Sequence, residues 1–239
     1  GSTLYGKIYN VCPSCSFEDP KSAYEASQDG GSILIGKGRY EMGNWKINKR
    51  ISVYGSEGAH LVSVEGDEIL TITKNDVTIS GLIFSGVTTN YLKENAAIKI
   101  SGCQNFVLEN NTIIDCFFAI YIAKGKHGVV KDNIINGNAS TEAASGNGIH
   151  AWSCDWLTIA ENEIENHRDE IYLEFVNNSL VKQNHSHSNT RYGLHYMFSN
   201  DDVYEENVIE KNGVGVAVMF SRRITMKGNT FAYNWAPTA

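Results

Sequence analysis

Gly193 to Ser221 reads GLHYMFSNDDVYEENVIEKNGVGVAVMFS, and it opens and closes on one motif. Met197-Phe198-Ser199 returns as Met219-Phe220-Ser221, 22 residues later. Between the copies lies a second strand-like run, Val203 to Ile209, with Asn207 near its end. A fixed period of this size marks a solenoid, in which one supersecondary unit stacks on the next.

Working back from this stretch, the unit recurs through most of the chain. One column of asparagines reads Asn111, Asn133, Asn162, Asn184, Asn207, Asn229, with steps of 22, 29, 22, 23 and 22. Three residues before each lies Leu108, Val130, Ile159, Val181, Tyr204 or Met226. Two residues after lies Ile113, Ile135, Ile164, Ile209 or Phe231, with Ser186 the exception. A second column, Ile98, Ile120, Ile149, Ile171, Leu194, Val216, repeats the same steps. The long step absorbs a loop, Asn138 to Ser145. Stacked amides at a repeated bend can bond one another and the backbone groups that the bend leaves unpaired. Six-residue apolar repeats, the mark of a left-handed helix, are missing. The columns therefore predict an all-β fold, a single-stranded right-handed parallel β-helix, in one domain.

Near the start, Asp19 suits an N-cap, Pro20 the first helical position, and Gly30-Gly31 an end. Lys21 to Asp29 is predicted as a short helix with Ala23 and Ala26 on one side, capping one end of the solenoid. The expected division is 1–31 for the N-terminal segment and capping helix and 32–239 for the β-helix. Short runs Ile33 to Ile35, Ile51 to Tyr54 and His60 to Val64 read as strands between glycine-rich turns. Gly1-Ser2 reads as an expression scar left after removal of a targeting segment. The close, Asn234 to Ala239, has no capping element, so the native chain is expected to continue.

A hydrophobic fraction of 42% supports a long thin core if the apolar residues are patterned. The net charge is −7 and no basic run occurs, which excludes the usual footprint of a nucleic-acid partner. No apolar stretch is long enough to span a bilayer, so no direct membrane insertion is expected. Of five cysteines, Cys12 and Cys15 form a C-x-x-C, expected to pair in an oxidising compartment. Cys103, Cys116 and Cys154 read as buried structural thiols.

Four segments carry a family resemblance: SGNGIHAWSCDWLTIAENEI, HRDEIYLEFVNNS, RYGLHYMFSNDDVYEEN and NGVGVAVMFSRRITMKGN. They resemble the NosD family, extracytoplasmic accessory proteins of nitrous oxide reductase maturation. The likeness extends to the amino-terminal GKGRY, INKRISVYG and TITKNDVTISGLIFSGV, and GLHYMFS and GVAVMFS are its most specific part. It implies a periplasmic location and a role in receiving copper, as transient Cu(I), or in supporting copper-sulfur site assembly. It also implies three partners: the membrane and ATPase subunits of an ABC transporter, a copper chaperone lipoprotein and the apo-reductase.

Strand alternation places Leu194, Tyr196 and Phe198 inward and His195 and Met197 outward. The same parity gives two exterior columns: Lys99, Tyr121, His150, Tyr172, His195, Ala217, and Ser101, Ala123, Trp152, Glu174, Met197, Met219. Thioether and imidazole together suit Cu(I), so His195, Met197, Met219 and Glu174 form the first candidate metal set. The plainer alternative is methionines that merely pack under a covering segment. His150, two coils from His195 with Tyr172 between, is too far to share one ion with it directly; it is a weaker metal candidate, and a docking surface containing both histidines is the plainer reading. His185 and His187, bordered by Glu163, Glu165 and Glu210, form a weaker divalent-metal candidate. For a carbohydrate-active lyase, epimerase or hydrolase, the best polar cluster is His167-Arg168-Asp169-Glu170, which reads as a charged corner. Asp201-Asp202 reads as turn chemistry. The sequence thus favours a non-enzymatic copper maturation factor, with a carbohydrate enzyme or a metal-free structural adaptor as alternatives.

Overall fold

Each coil contributes one short strand to each of three parallel sheets. The computed structural model describes residues 6–90, 93–139, 141 and 145–238, with the last three, 236–238, by backbone alone. The Gly1-Ser2 start, Leu4, most of the centre of the 138–145 loop and Ala239 lie outside the described residues. Sheet I has ten strands, from Ile8–Val11 to Thr225–Lys227. Sheet II has nine, from Gly38–Met42 to Thr230–Ala232, and sheet III nine, from Trp45–Ile47 to Ala236–Thr238. The arrangement is a parallel β-helix of the right-handed, pectin-lyase-like type, as the two columns predict.

Both columns are in register. Leu108, Val130, Ile159, Val181, Tyr204 and Met226 pair in succession along sheet I. Ile98, Ile120, Ile149, Ile171, Leu194 and Val216 do so along sheet III. In the three-residue strands of sheets I and II only the central side chain enters the core, which explains why one apolar residue per strand suffices.

The asparagine column fixes the corner between sheets I and II. The Asn133 Oδ1 accepts from the Asn111 backbone N–H (3.0 Å) and from its Nδ2 (3.1 Å). Asn162 does the same for Asn133, Asn184 for Asn162, Asn207 for Asn184 and Asn229 for Asn207. Each amide also donates to a sheet I carbonyl, as Asn162 Nδ2 does to Val130 O (3.0 Å). The residue before the asparagine turns the corner at φ near +55°, as at Glu161 (56°) and Gln183 (54°). A second ladder, Asn189, Asn212 and Asn234, which the sequence reading passed over, stabilises the next corner in the same way.

The predicted helix forms over Pro20–Ala26, three residues shorter than expected at its end. The Asp19 side chain accepts from Ser22 N (2.9 Å), as an N-cap should. Ser27 stops the helix by turning its backbone to ψ 156° while its hydroxyl donates to Tyr24 O (2.6 Å). Ala23 and Tyr24 are the buried face, and Ala26 is exposed, contrary to expectation, because the helix ends there. Tyr24 packs edge-on against Trp45 of the first sheet III strand, with ring centroids 5.8 Å apart. The strand Ile8–Val11 precedes the helix and already pairs with Gly31–Ile35 in sheet I.

Cys12 and Cys15 are joined in a disulfide, and Cys103, Cys116 and Cys154 are buried free thiols. Burial pushes the thiols of Cys116 and Cys154 up to about 12, so neither reacts as a thiolate near neutral pH.

Two outcomes check this account. Replacing Asn162 by Ala strips Asn133 of the acceptor for two buried N–H groups, and denaturant unfolding should report a loss of roughly 2–4 kcal/mol. A loss below about 0.5 kcal/mol would remove the ladder from its central place. In thiol labelling, the folded, unreduced protein should resist modification, and denaturation without reductant should expose the three free thiols alone.

Candidate functional site

The outer face of sheet III carries the chemistry. Its register aligns Lys99, Tyr121, His150, Tyr172, His195 and Ala217 in one row and Ser101, Ala123, Trp152, Glu174, Met197 and Met219 in the next. These are the two predicted columns. Glu174, Met197 and Met219 are therefore neighbours on successive strands, and all three are half-buried.

The other row points outward yet excludes water, because its rings cover one another. His150, Tyr172 and His195 are 5%, 9% and 2% exposed. Tyr172 lies between the imidazoles, 4.6 Å from His150 and 4.4 Å from His195 by ring centroids. Tyr121 and Phe118 close the stack beyond His150, and Tyr192 closes it beside His195. Alternation alone could not foresee this burial, since it reports direction and not what lies above the sheet.

One expectation fails at the end of the strand. Phe198 is 41% exposed rather than inward. The strand Tyr192–Met197 stops before it, and Phe198 adopts φ 51°, which breaks the alternation and sends Ser199 into the core instead. Phe198 stacks between Phe175 and Phe220, at 5.1 Å from each, along the outer corner beside the methionine row.

His195 is held by a residue that the sequence reading placed elsewhere. Its Nδ1 lies 3.4 Å from Asp169 Oδ2, and among the described residues its Nε2 is buried without a hydrogen-bond partner. The segment His167-Arg168-Asp169-Glu170 is thus not an exposed corner: His167, Asp169 and Glu170 are at most 2% exposed, and only Arg168 reaches the surface. Asp169 faces outward to His195, with the Nε atoms of Arg168 and Arg191 3.9 and 4.0 Å from its carboxylate. Glu170 faces the interior, where burial pushes its carboxyl well above the usual range against the pull of the Ser186 hydroxyl. Among the described residues both Glu170 oxygens are buried without a hydrogen-bond partner, while the hydroxyl of Ser186, the one polar residue of the isoleucine column, accepts from the Asn189 and Asn212 amides. Gly148 and Gly193 precede the paired Ile149 and Leu194 as Glu170 precedes Ile171, and the backbone packs closely there. A Cβ at Gly148 would come within 2.8 Å of Glu170 O, and one at Gly193 within 2.7 Å of Gly215 O. Asp202 also departs from simple turn duty: it is fully buried, accepts from Ser179 N (2.8 Å), and is pushed up to about 7 by burial.

The electrostatics favour neutral donors. Burial, aided by the Arg168 charge, lowers His150 to about 4, so the 3.8 Å approach of its Nε2 to Glu174 Oε2 is a contact with a neutral ring and not an ion pair. Burial and the neighbouring Glu94 raise Glu174. Burial, Glu174 and Asp169 push Tyr172 up to about 12, so it keeps its proton and donates to Met197 Sδ at 3.4 Å. An imidazole anchored through one nitrogen on a carboxylate, with the other nitrogen free, is the outer-shell arrangement of a metal-ligating histidine. With two adjacent thioethers, this donor set fits a soft monovalent ion such as Cu(I). The weaker pair also comes together: His185 and His187 project from sheet II with ring centroids 4.7 Å apart.

Three sheets wound into one coil, with buried asparagine corners, define the pectin-lyase-like class of right-handed parallel β-helices. The polygalacturonase of Erwinia carotovora superposes with a TM-score of 0.73 at 14% identity, covering 100% of this chain and 83% of that one. The exopolygalacturonase of Thermotoga maritima gives 0.72 at 11% identity, covering 85% and 68%. The α-1,3-glucanase catalytic unit of Streptomyces thermodiastaticus gives 0.75 at 14% identity, covering 97% and 48%. Likeness at these identities concerns the fold. Residues 131–237 match the family model described as "Periplasmic copper-binding protein (NosD)", and this match and the β-helix fit a NosD-like protein of pectin-lyase fold. No curated protein matches the chain in sequence. Among the described residues no helix is long and apolar enough to cross a membrane.

The lowered pKa of His150 has a stability consequence. A histidine that binds its proton less readily when folded contributes stability above its unfolded value of 6.5, and that contribution is lost as pH falls towards about 4. Replacing His150 by Phe, which keeps a ring in the stack, should flatten the fall in unfolding free energy over that window by up to about one proton. Equal slopes in the variant and the unmodified protein would contradict the assignment.

Proposed function

We propose that the chain is a periplasmic maturation factor that receives copper as Cu(I), in transit, on the outer face of sheet III. The observation that supports this reading is the Glu174–Met197–Met219 row lying beside His195, whose ring is anchored on Asp169 with Nε2 free. Thioethers are poor ligands for most divalent ions and good ones for Cu(I), so the row selects for oxidation state. The ring stack keeps water from the imidazoles, and the rigid β-helix holds the donors in place without a folding step on binding. His150 belongs to the same face as a neutral donor beside Glu174. The family description supports copper and the periplasm. The recipients and sources are those implied by the resemblance: apo nitrous oxide reductase, a copper chaperone lipoprotein, and an ABC transporter with membrane and ATPase subunits.

A second reading has its own observation. The buried Asp169–His195 pair, with Arg168, Arg191 and Tyr172 around it, has the composition of an acid–base site for a polyuronate: arginines for a carboxylate, a histidine as base. The copper reading does not require turnover, and no product is expected from pectin, alginate or related polyuronates. Product formation abolished by Asp169→Asn would reverse the ranking.

Replacing Met197 and Met219 together by leucine keeps the apolar bulk and removes both sulfurs. Under reducing conditions, a competition assay should show Cu(I) affinity lower by at least about tenfold, with a thermal midpoint only slightly lowered by the loss of the Tyr172 hydroxyl's acceptor. Unaltered affinity in the folded variant would exclude this face as the copper site.

A further inference from the structure

We propose that the outer face of sheet II carries a second metal site, formed by His185, His187 and Glu163, that takes a divalent first-row ion of the Zn(II) or Cu(II) type. The strand His185–His187 sends Ser186 into the core, 0% exposed, and both imidazoles to the outside. The register then places carboxylates on both neighbouring strands: Glu163 opposite His185, and Glu165 and Glu210 on either side of His187. Ligand atoms of Glu163, His185 and His187 all lie within 4.8 Å of one another. The His187 Nε2 is 3.7 Å from Glu163 Oε1 and its Nδ1 3.5 Å from Glu165 Oε2, while His185 Nε2 is 3.6 Å from Glu210 Oε1.

Two imidazoles and one carboxylate form a borderline donor set, matched to Zn(II) or Cu(II) and not to Cu(I), since no sulfur takes part. The two further carboxylates suit an outer shell that accepts from the imidazole N–H groups left after ligation. The Glu210 carboxylate is oriented by Lys211, whose Nζ lies 3.3 Å from its Oε1. The strand is fixed from inside, by the Ser186 hydroxyl accepting from the Asn189 and Asn212 amides at 3.2 and 3.3 Å. Both imidazoles therefore project from a rigid base. His185 remains 42% exposed in its side chain, so an ion reaches it directly from solvent. This site faces away from the methionine row and does not depend on the copper reading above.

The test is titration of the whole chain with copper(II) sulfate or zinc chloride, without reductant, near pH 7.5. Cu(II) should show an electron paramagnetic resonance spectrum with nitrogen hyperfine structure, and both ions should bind in equal stoichiometry. The double replacement His185→Gln and His187→Gln should weaken binding of either ion by at least about tenfold, whereas Met197→Leu with Met219→Leu should leave it unchanged. Unaltered Cu(II) and Zn(II) affinity in the histidine variant would overturn the proposal. If that variant misfolds, Cu(II) broadening of imidazole resonances in the unmodified protein decides: His185 and His187 should broaden first, and broadening confined to other histidines would overturn it equally.

Discussion

The buried asparagine amide at the corner between sheets I and II is the interaction on which the rest of the structure depends. A chain that turns sharply at this corner in every coil leaves a backbone N–H unpaired there, and burial makes such a group costly by roughly 1–3 kcal/mol. Asn133 Oδ1 takes two donors from Asn111, and the same geometry recurs coil after coil. An amide side chain can accept from one coil through its oxygen while its nitrogen donates to a carbonyl of the sheet before the corner, and Asn162 does both. The ladder therefore sets the register of all three sheets, and with it the alignment of every exterior side chain.

That dependence explains how much of the fold was legible in the sequence. The step pattern 22, 29, 22, 23, 22 is the same in the asparagine column and in the Ile98-to-Val216 column, and both are in register. The exterior rows followed from the register by parity. Legibility ended where parity does: Phe198 left the alternation because a left-handed residue follows the strand, and the helix stopped at Ala26 because Ser27 bonds back to Tyr24. The second asparagine ladder was missed because it spans only Asn189, Asn212 and Asn234, too few copies to stand out as a column.

At the site, direction was readable and burial was not. His150, Tyr172 and His195 project from the sheet but stack so closely that solvent is excluded. Asp169 was legible only as part of a polar run that reads as a charged corner, because parity says nothing of its contact with His195. The consequence is functional. A histidine anchored on a buried carboxylate has a fixed orientation, and a thioether row one strand position away has a fixed distance from it. The two faces of the solenoid then divide the chemistry, with sulfur and imidazole on sheet III and imidazole and carboxylate on sheet II.

The central claim concerns where Cu(I) rests, and a crystal structure of the reduced, Cu(I)-loaded protein with data at the copper absorption edge tests it most directly. The account predicts an anomalous peak over sheet III, within bonding distance of Met197 or Met219 and of an imidazole of the adjoining row. A peak only at His185 and His187, or none on the outer face of sheet III in a protein with bound copper, would contradict it.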